Sequence, residues 1–177
     1  MNKKTRNRLL IGVAIVGLVW ALYQPIQKAV WDLVSEMRIQ ELHPRIRNDV
    51  RKFLNEAEKK GIFLRVTDGV RTFTEQDELY AQGRTAPGDI VTNARGGESY
   101  HNYGLAVDVV PMVNGFPDYN TDWTPIAEIG KRLGFFWGGD FTSIDDKPHF
   151  QKSFGFSTSQ LLAMVNNDQL KNGFVIV

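Results

Sequence analysis

Three histidines and a few acidic residues carry most of the chemistry available to this chain, and two of the three histidines stand in informative company. His101 and Asp108 lie seven positions apart in Ser99-Tyr100-His101-Asn102-Tyr103-Gly104-Leu105-Ala106-Val107-Asp108. Side chains seven apart on one strand face opposite ways, because strand side chains alternate with period two. The two converge only if the chain turns between them, and Asn102-Tyr103-Gly104 supplies residues suited to a turn. Leu105 to Val110 then reads as a buried strand. A charged Asp in so apolar a strand is costly unless it is paired or bound to a cation. His149, in Asp145-Asp146-Lys147-Pro148-His149-Phe150, is the obvious third ligand. Two imidazoles and one carboxylate leave a fourth position open to water, the pattern of a catalytic rather than a structural zinc. Asp146, three residues before His149, is placed to act on that water.

Ser-x-His-x-x-Gly-x-Ala-x-Asp followed by Asp-x-Pro-His-Phe resembles the LAS-type zinc peptidases that cut peptidoglycan stem peptides. The D-Ala-D-Ala peptidases share the first motif. The closer resemblance is to the L-alanyl-D-glutamate endopeptidases of phage endolysins and bacterial cell-wall hydrolases, since the D-Ala-D-Ala branch usually carries Glu where Asp146 stands. The likeness extends over Gly69-Val70-Arg71-Thr72, Gln76, Leu79 to Thr85 and Trp137-Gly138-Gly139-Asp140. It implies zinc at His101, Asp108 and His149, Asp146 as general base, and Arg71 as the cation that contacts substrate and steadies the oxyanion. A fixed guanidinium suits either a carboxylate or a developing negative charge. It also implies substrate-side roles for Gln76, in the cleft or beside Arg71, and for Trp137. Ser99, two residues before His101, is placed to hydrogen-bond near the metal.

Composition narrows the remaining classes. The 177 residues suffice for one domain with a sizeable core plus an appendage, and 42% hydrophobic with 23% charged content is ordinary for a globular chain. There are no cysteines, so thiolate ligation of a metal is excluded. Lys3, Lys4, Arg6 and Arg8 account for four of the 21 basic residues, which leaves 17 against 20 acidic residues after Arg8. The main domain therefore lacks the basic field that nucleic-acid binding needs. No phosphate-cradling glycine loop occurs either, because Gly96-Gly97 is not followed by Lys-Ser/Thr, so no nucleotide site is expected.

The 19 positions from Leu9 to Gln27 carry no charge. As a helix they reach roughly 28 Å, just short of a hydrocarbon core of roughly 30 Å. With Trp20 and Tyr23 near one end and basic residues at the other, they predict a single-pass anchor in the cytoplasmic membrane, the N-terminus inside and the domain on the wall side. A cleaved secretory leader is the competing reading, and no small-x-small cleavage site follows the apolar run. The expected organisation is a basic tail at 1–8, a lipid-embedded anchor at 9–27, a helical stem at 28–43 and a peptidase domain at 44–177.

Within that domain Pro44 opens a helix bearing Ile46, Val50, Phe53, Leu54 and Ala57 at helical spacing up to Gly61. His43, at its entrance, reads as capping or solvated. Ile62 to Val70 is a strand, Thr74 to Gln82 a short helix, and 84–97 a loop rich in turn formers that walls the cleft. Thr124-Pro125 starts another helix, Phe135-Phe136-Trp137 reads as a buried strand, and Ser157 with Gln160 resembles a capping box before a closing helix. The expected fold is α+β: a small, mostly antiparallel sheet flanked by helices, with the zinc cleft on one sheet face. The expected activity is zinc-dependent hydrolysis of peptidoglycan stem peptides at the L-alanyl-D-glutamate bond. A D,D-carboxypeptidase or dipeptidase on the same metal centre, and a non-catalytic wall-binding module, are the alternatives.

Overall fold

The computed structural model describes Tyr23 and residues 25–177. Residues 9–22 and 24 of the expected anchor lie outside the described residues, and among those described no helix is long and apolar enough to cross a membrane.

Helix α1 (residues 25–41) runs into α2 (Pro44–Lys59) through a break at Leu42-His43. Pro44 sits in the first turn of α2, where its missing N–H costs nothing. The Nδ1 of His43 accepts from the Arg45 amide, so this residue is the N-cap, and it is buried rather than solvated. Ile46, Val50, Phe53 and Ala57 form the buried stripe that the spacing predicts. Ser35, Ile39 and Leu42 of the preceding segment are buried in the same core.

The sheet is antiparallel throughout, in the order β1 (Leu64–Asp68), β2 (Ala106–Val113), β5 (His149–Gln151), β4 (Phe136–Trp137), with β3 (Phe116–Pro117) paired to the far end of β2. Period-two alternation divides β2: Val107 and Val109 are fully buried in the core, and Asp108 points the other way. Phe150 follows the same parity in β5 and meets Phe53 of α2 edge-on at 4.7 Å. Truncating a fully buried Phe such as Phe53 to Ala would cost about 3–5 kcal/mol. Helices α2 and α4 (Thr124–Arg132) pack together over this face, which leaves the opposite face to Asp108 and His149.

Phe135 is buried as expected, but Phe136 is exposed, because β4 is an edge strand two residues long whose outer face has no cover. Helix α3 (Phe73–Ala81) starts at a Thr72–Glu75 capping box, and α5 (Thr158–Asn166) at the Ser157–Gln160 box. The hairpin of β6 (Leu170–Lys171) and β7 (Phe174–Val175) closes the chain against His43, whose Nε2 lies 3.0 Å from the Val175 carbonyl.

Candidate metal centre

The turn between His101 and Asp108 is a 3-10 helix, Tyr100–Tyr103, capped at both ends. Ser99 Oγ accepts from the His101 amide, and Gly104 ends the turn at φ 65°. A side chain at 104 would be strained at that φ and would bring its Cβ within 2.7 Å of the His43 amide nitrogen. The reversal turns His101 back over the first residues of β2. Asp108 is meanwhile aligned with His149 as a cross-strand pair and with Asp68 across β1, after a bulge between Val66 and Asp68.

The result is a triangle of donor atoms. His101 Nε2 lies 3.1 Å from Asp108 Oδ1 and 3.0 Å from His149 Nδ1, and His149 Nδ1 lies 3.2 Å from Asp108 Oδ1. The outer nitrogen of each ring is already committed. His101 Nδ1 faces the Gly69 carbonyl at 2.6 Å and His149 Nε2 faces Gln151 Oε1 at 2.8 Å. A carbonyl oxygen only accepts, so both outer nitrogens carry the proton and both inner ones present lone pairs. Two lone pairs and a carboxylate oxygen thus point at one spot, in a place where His101 and His149 are nearly inaccessible. Such an arrangement demands positive charge. Ligands on a tetrahedron with bonds of about 2.0–2.1 Å sit roughly 3.3 Å apart, and the observed separations fall a few tenths of an ångström short of that. The residues fit a small divalent cation.

Electrostatics agree. Burial by itself would push the Asp108 carboxyl up, but positive charge at the inner nitrogens of His101 and His149, carried by protons when no cation takes their place, holds it well below the usual carboxylate range. Burial works against charge on His149 too, and is outweighed by Asp108, which raises the imidazole above its ordinary value. Asp146 is the opposite case: burial, and then the nearby Asp108 charge, push its carboxyl up.

Arg71 sits behind the triangle. Its Nε donates to Asp68 at 2.6 Å, one terminal nitrogen to Asp108 Oδ2 at 2.8 Å and the other to Gln76 Oε1 at 3.2 Å. Asp108 therefore gives one oxygen to the arginine and keeps the other for the metal position. These contacts use three of the five N–H donors of the guanidinium and leave the others for the cleft.

The cleft has a volume of about 370 Å³. One wall is the loop from Val91 to Ala94 with Glu98, the other runs from Phe141 to Asp146, and His101, His149 and Arg71 lie in it. Of the residues expected at the site, His101, Asp108 and His149 meet, and Arg71, Asp146 and Ser99 line the same cleft. Gln76 does not line it. It is fully buried, and its amide nitrogen donates to the Thr92 hydroxyl and the Ala94 carbonyl, so it joins Arg71 to the cleft wall. Trp137 also stays outside the cleft: its indole N–H donates to the Lys147 carbonyl at 2.8 Å and so ties down the segment that carries Asp146.

Gln151, Phe141 and Asn102, the last marked by the sequence only as a turn former, also support the site. Gln151 holds the His149 ring. The amide of Asn102 accepts from Gly97 and donates to the Arg71 and Thr72 carbonyls, clipping the arginine backbone to the His101 turn. The Phe141 ring stands 5.7 Å from the His149 ring at the cleft edge. A signal existed for the first: Gln151 follows His149 by two on a strand, hence on the same face.

Comparison with known proteins extends this picture. Residues 92–152, which span both motifs, match a family model described as D-alanyl-D-alanine carboxypeptidase. The peptidoglycan L-alanyl-D-glutamate endopeptidase CwlK of Bacillus subtilis (strain 168) is 45% identical over 122 residues, covering 63% of this chain and 73% of that protein. The L-alanyl-D-glutamate peptidase of Listeria phage A118 is 29% identical over 133 residues, 70% of this chain and 43% of that one. Among solved structures, the Serratia marcescens L-Ala D-Glu endopeptidase ChiX superposes with a TM-score of 0.51 at 28% identity, covering 68% of this chain and 86% of its own. With 45% identity over a stretch that covers 73% of the Bacillus protein, and both motifs inside the matched family region, the chain belongs to the peptidase family that unites D-alanyl-D-alanine carboxypeptidases with L-alanyl-D-glutamate endopeptidases.

Proposed function

We propose that this chain is a zinc peptidase that hydrolyses the L-alanyl-D-glutamate bond of peptidoglycan stem peptides. The observation that carries the reading is the convergence of His101 Nε2, Asp108 Oδ1 and His149 Nδ1 in a cleft of a chain 45% identical to a peptidoglycan L-alanyl-D-glutamate endopeptidase. Zn²⁺ held by these three residues would supply Lewis acidity and lower the pKa of a bound water to about 7. The other roles fall to side chains of the cleft. Asp146 takes a proton from the attacking water and passes it to the leaving amine, work that its raised carboxyl pKa favours. Arg71 offers its uncommitted N–H donors to the carbonyl oxygen as negative charge develops, or to a substrate carboxylate. Asp68, Asp108 and Gln76 hold that guanidinium in place. Ser99 caps the turn that carries His101.

The reading includes location. Residues 9–27 anchor the chain in the cytoplasmic membrane as one span, with residues 1–8 inside and the peptidase domain facing the wall; the uncharged run and the flanking basic residues support this.

The test is mass spectrometry of purified muropeptides digested by the full chain, with and without a chelator. Chelator-sensitive products ending in L-Ala and beginning with D-Glu are expected. The D-alanyl-D-alanine carboxypeptidase description of the matched family model favours a second reading. Loss of a terminal D-Ala alone would establish that one instead, and no cleavage by folded, zinc-loaded protein would leave a wall-binding module.

A further inference from the structure

Strand β1 is an edge of the sheet, and its outer side is met by a helix rather than by another strand. Val66 lies opposite Val109 of β2, yet its own N–H and C=O point away from that partner, toward α1. Ser35 Oγ accepts from the Val66 amide at 3.1 Å, and Arg38 Nη1 donates to the Val66 carbonyl at 2.8 Å. Two side chains of α1 thus take the place of a neighbouring strand at this one residue. Val66 is fully buried, so leaving either group without its partner is costly.

Val66 is also the last regular pair before the bulge that brings Asp68 opposite Asp108. Without the extra residue Thr67 would stand opposite Asp108, and Asp68 would turn to the core face beside Val107. Arg71 would then lose the carboxylate that accepts from its Nε at 2.6 Å. One residue further on, the Gly69 carbonyl accepts the Nδ1 proton of His101 and so fixes the ring that presents Nε2 to the donor triangle. Gly69 itself lies against the same helix: a Cβ there would come within 3.6 Å of the Arg38 carbonyl oxygen and 3.4 Å of Leu42 Cδ2. Just past the end of α1 the His43 amide donates to the Gly104 carbonyl at 2.9 Å, where the turn that carries His101 closes. The segment therefore braces both connections that deliver Arg71 and His101.

We infer that Ser35 and Arg38 are positioning residues for the metal centre: by fixing Val66 they hold the bulge at Thr67, and through it Asp68 on Arg71 and the Gly69 carbonyl on His101. Neither lines the cleft. This role rests on the zinc-peptidase reading of the site, but its first readout needs neither metal nor substrate. In the zinc-free full chain, kept in a mild detergent, the buried His101 Nδ1–H bound to Gly69 exchanges slowly with water and is followed by NMR. Arg38→Met keeps much of the aliphatic length and removes the donor. It is expected to speed that exchange at least tenfold and to weaken zinc about 10–100-fold in a chelator competition, the usual cost of disturbing a ligand's outer partner. Arg38→Lys, which keeps a donor, should restore most of both. Arg51→Met is the control, since it breaks the 2.5 Å pair with Glu36, another contact of α1 with the domain, without touching β1. It should leave exchange and zinc affinity within twofold of the wild type. Equal effects of Arg38→Met and Arg51→Met would overturn the inference, as would wild-type exchange and zinc affinity in a folded Arg38→Met protein. If Arg38→Met does not fold, Ser35→Ala, which removes only the acceptor of the Val66 amide, is held to the same expectations and the same refutation. A wild type that binds no zinc would strike the peptidase reading instead, and the exchange measurement would still decide the role of Arg38.

Discussion

Asp108 and His149 are direct cross-strand partners on β2 and β5, and the pairing leaves Asp108 Oδ1 3.2 Å from His149 Nδ1. Half of the candidate metal centre is therefore written into the sheet register. A slip of one residue in either strand would turn one ligand into the core and carry a core side chain out. The other half, His101 and Arg71, comes from two short connections bound to each other, the Arg71 amide donating to the His101 carbonyl at 3.1 Å.

The outer support of His149 gives the first prediction. Gln151 Oε1 accepts the Nε2 proton and so fixes the tautomer that leaves Nδ1 free. Removing such a partner typically costs 10–100-fold in metal affinity. Gln151→Leu should weaken zinc binding by about that factor in a competition titration with a chromogenic chelator, with circular dichroism unchanged, and Gln151→Glu should restore it by returning an acceptor. Equal affinities in all three proteins would remove Gln151 from the centre.

Gly138 supports a steric prediction. A Cβ at this buried position would stand 2.3 Å from the Asp146 carbonyl oxygen and 2.8 Å from His149 Cβ, and backbone cannot swing away as a side-chain tip can. Gly138→Ala should cost about 1–3 kcal/mol in urea unfolding, as overpacking does. Because it displaces a ligand and the proposed base together, muropeptide turnover should fall by more than tenfold. A variant with wild-type stability and turnover would show that the 3-10 turn Gly138–Asp140 yields freely.

The convergence of His101, Asp108 and His149 was legible in the sequence because its chemistry breaks a pattern: Asp108 interrupts an apolar strand, and each of the two histidines sits in a short motif with glycine or proline. Positions that act through other residues left fainter marks. Gln76 reads equally well as a cleft residue or as a support for Arg71, and only its complete burial decides. Phe136 belongs to an apolar triplet whose register depends on β5, a strand that no local signal pairs with it. The hairpin β6–β7 did have a signal, Asn172-Gly173 with φ of 53° and 81°, a two-residue loop with both central residues in the left-handed region. It lies between strands only two residues long, too short to show alternation.

Asp146 separates the metal from the chemistry. Its side chain is outside the donor triangle, so Asp146→Asn should keep zinc at full stoichiometry by elemental analysis while turnover of muropeptides drops by about 10²–10⁴-fold, the usual worth of a positioned general base. Asp145, exposed and paired with Lys147 at 3.2 Å, is the control, and Asp145→Ala should retain activity. If the two variants exchanged phenotypes, Asp145 would take over the role.

His43 links the two ends of the domain to pH. Nδ1 caps α2 by accepting from the Arg45 amide, and Nε2–H donates to the Val175 carbonyl, which defines a neutral ring. Burial lowers its pKa below the ordinary histidine value, with Arg45 and Arg47 adding to the effect and the bond to Val175 opposing it. Between the lowered folded value and about 6.5 the unfolded chain binds more protons than the folded one, so stability rises with pH across that interval. The contribution is complete above about pH 6.5 and is lost as the pH falls toward the folded value. Other groups of the chain change charge over the same pH interval, so the difference from His43→Asn is the quantity to follow, Asn being a good N-cap without a charge to gain. Urea unfolding of both proteins from pH 7.5 to 5 should give a steeper loss of stability for the wild type. Parallel curves would mean that His43 carries its proton in the folded protein, and that the cap is made another way.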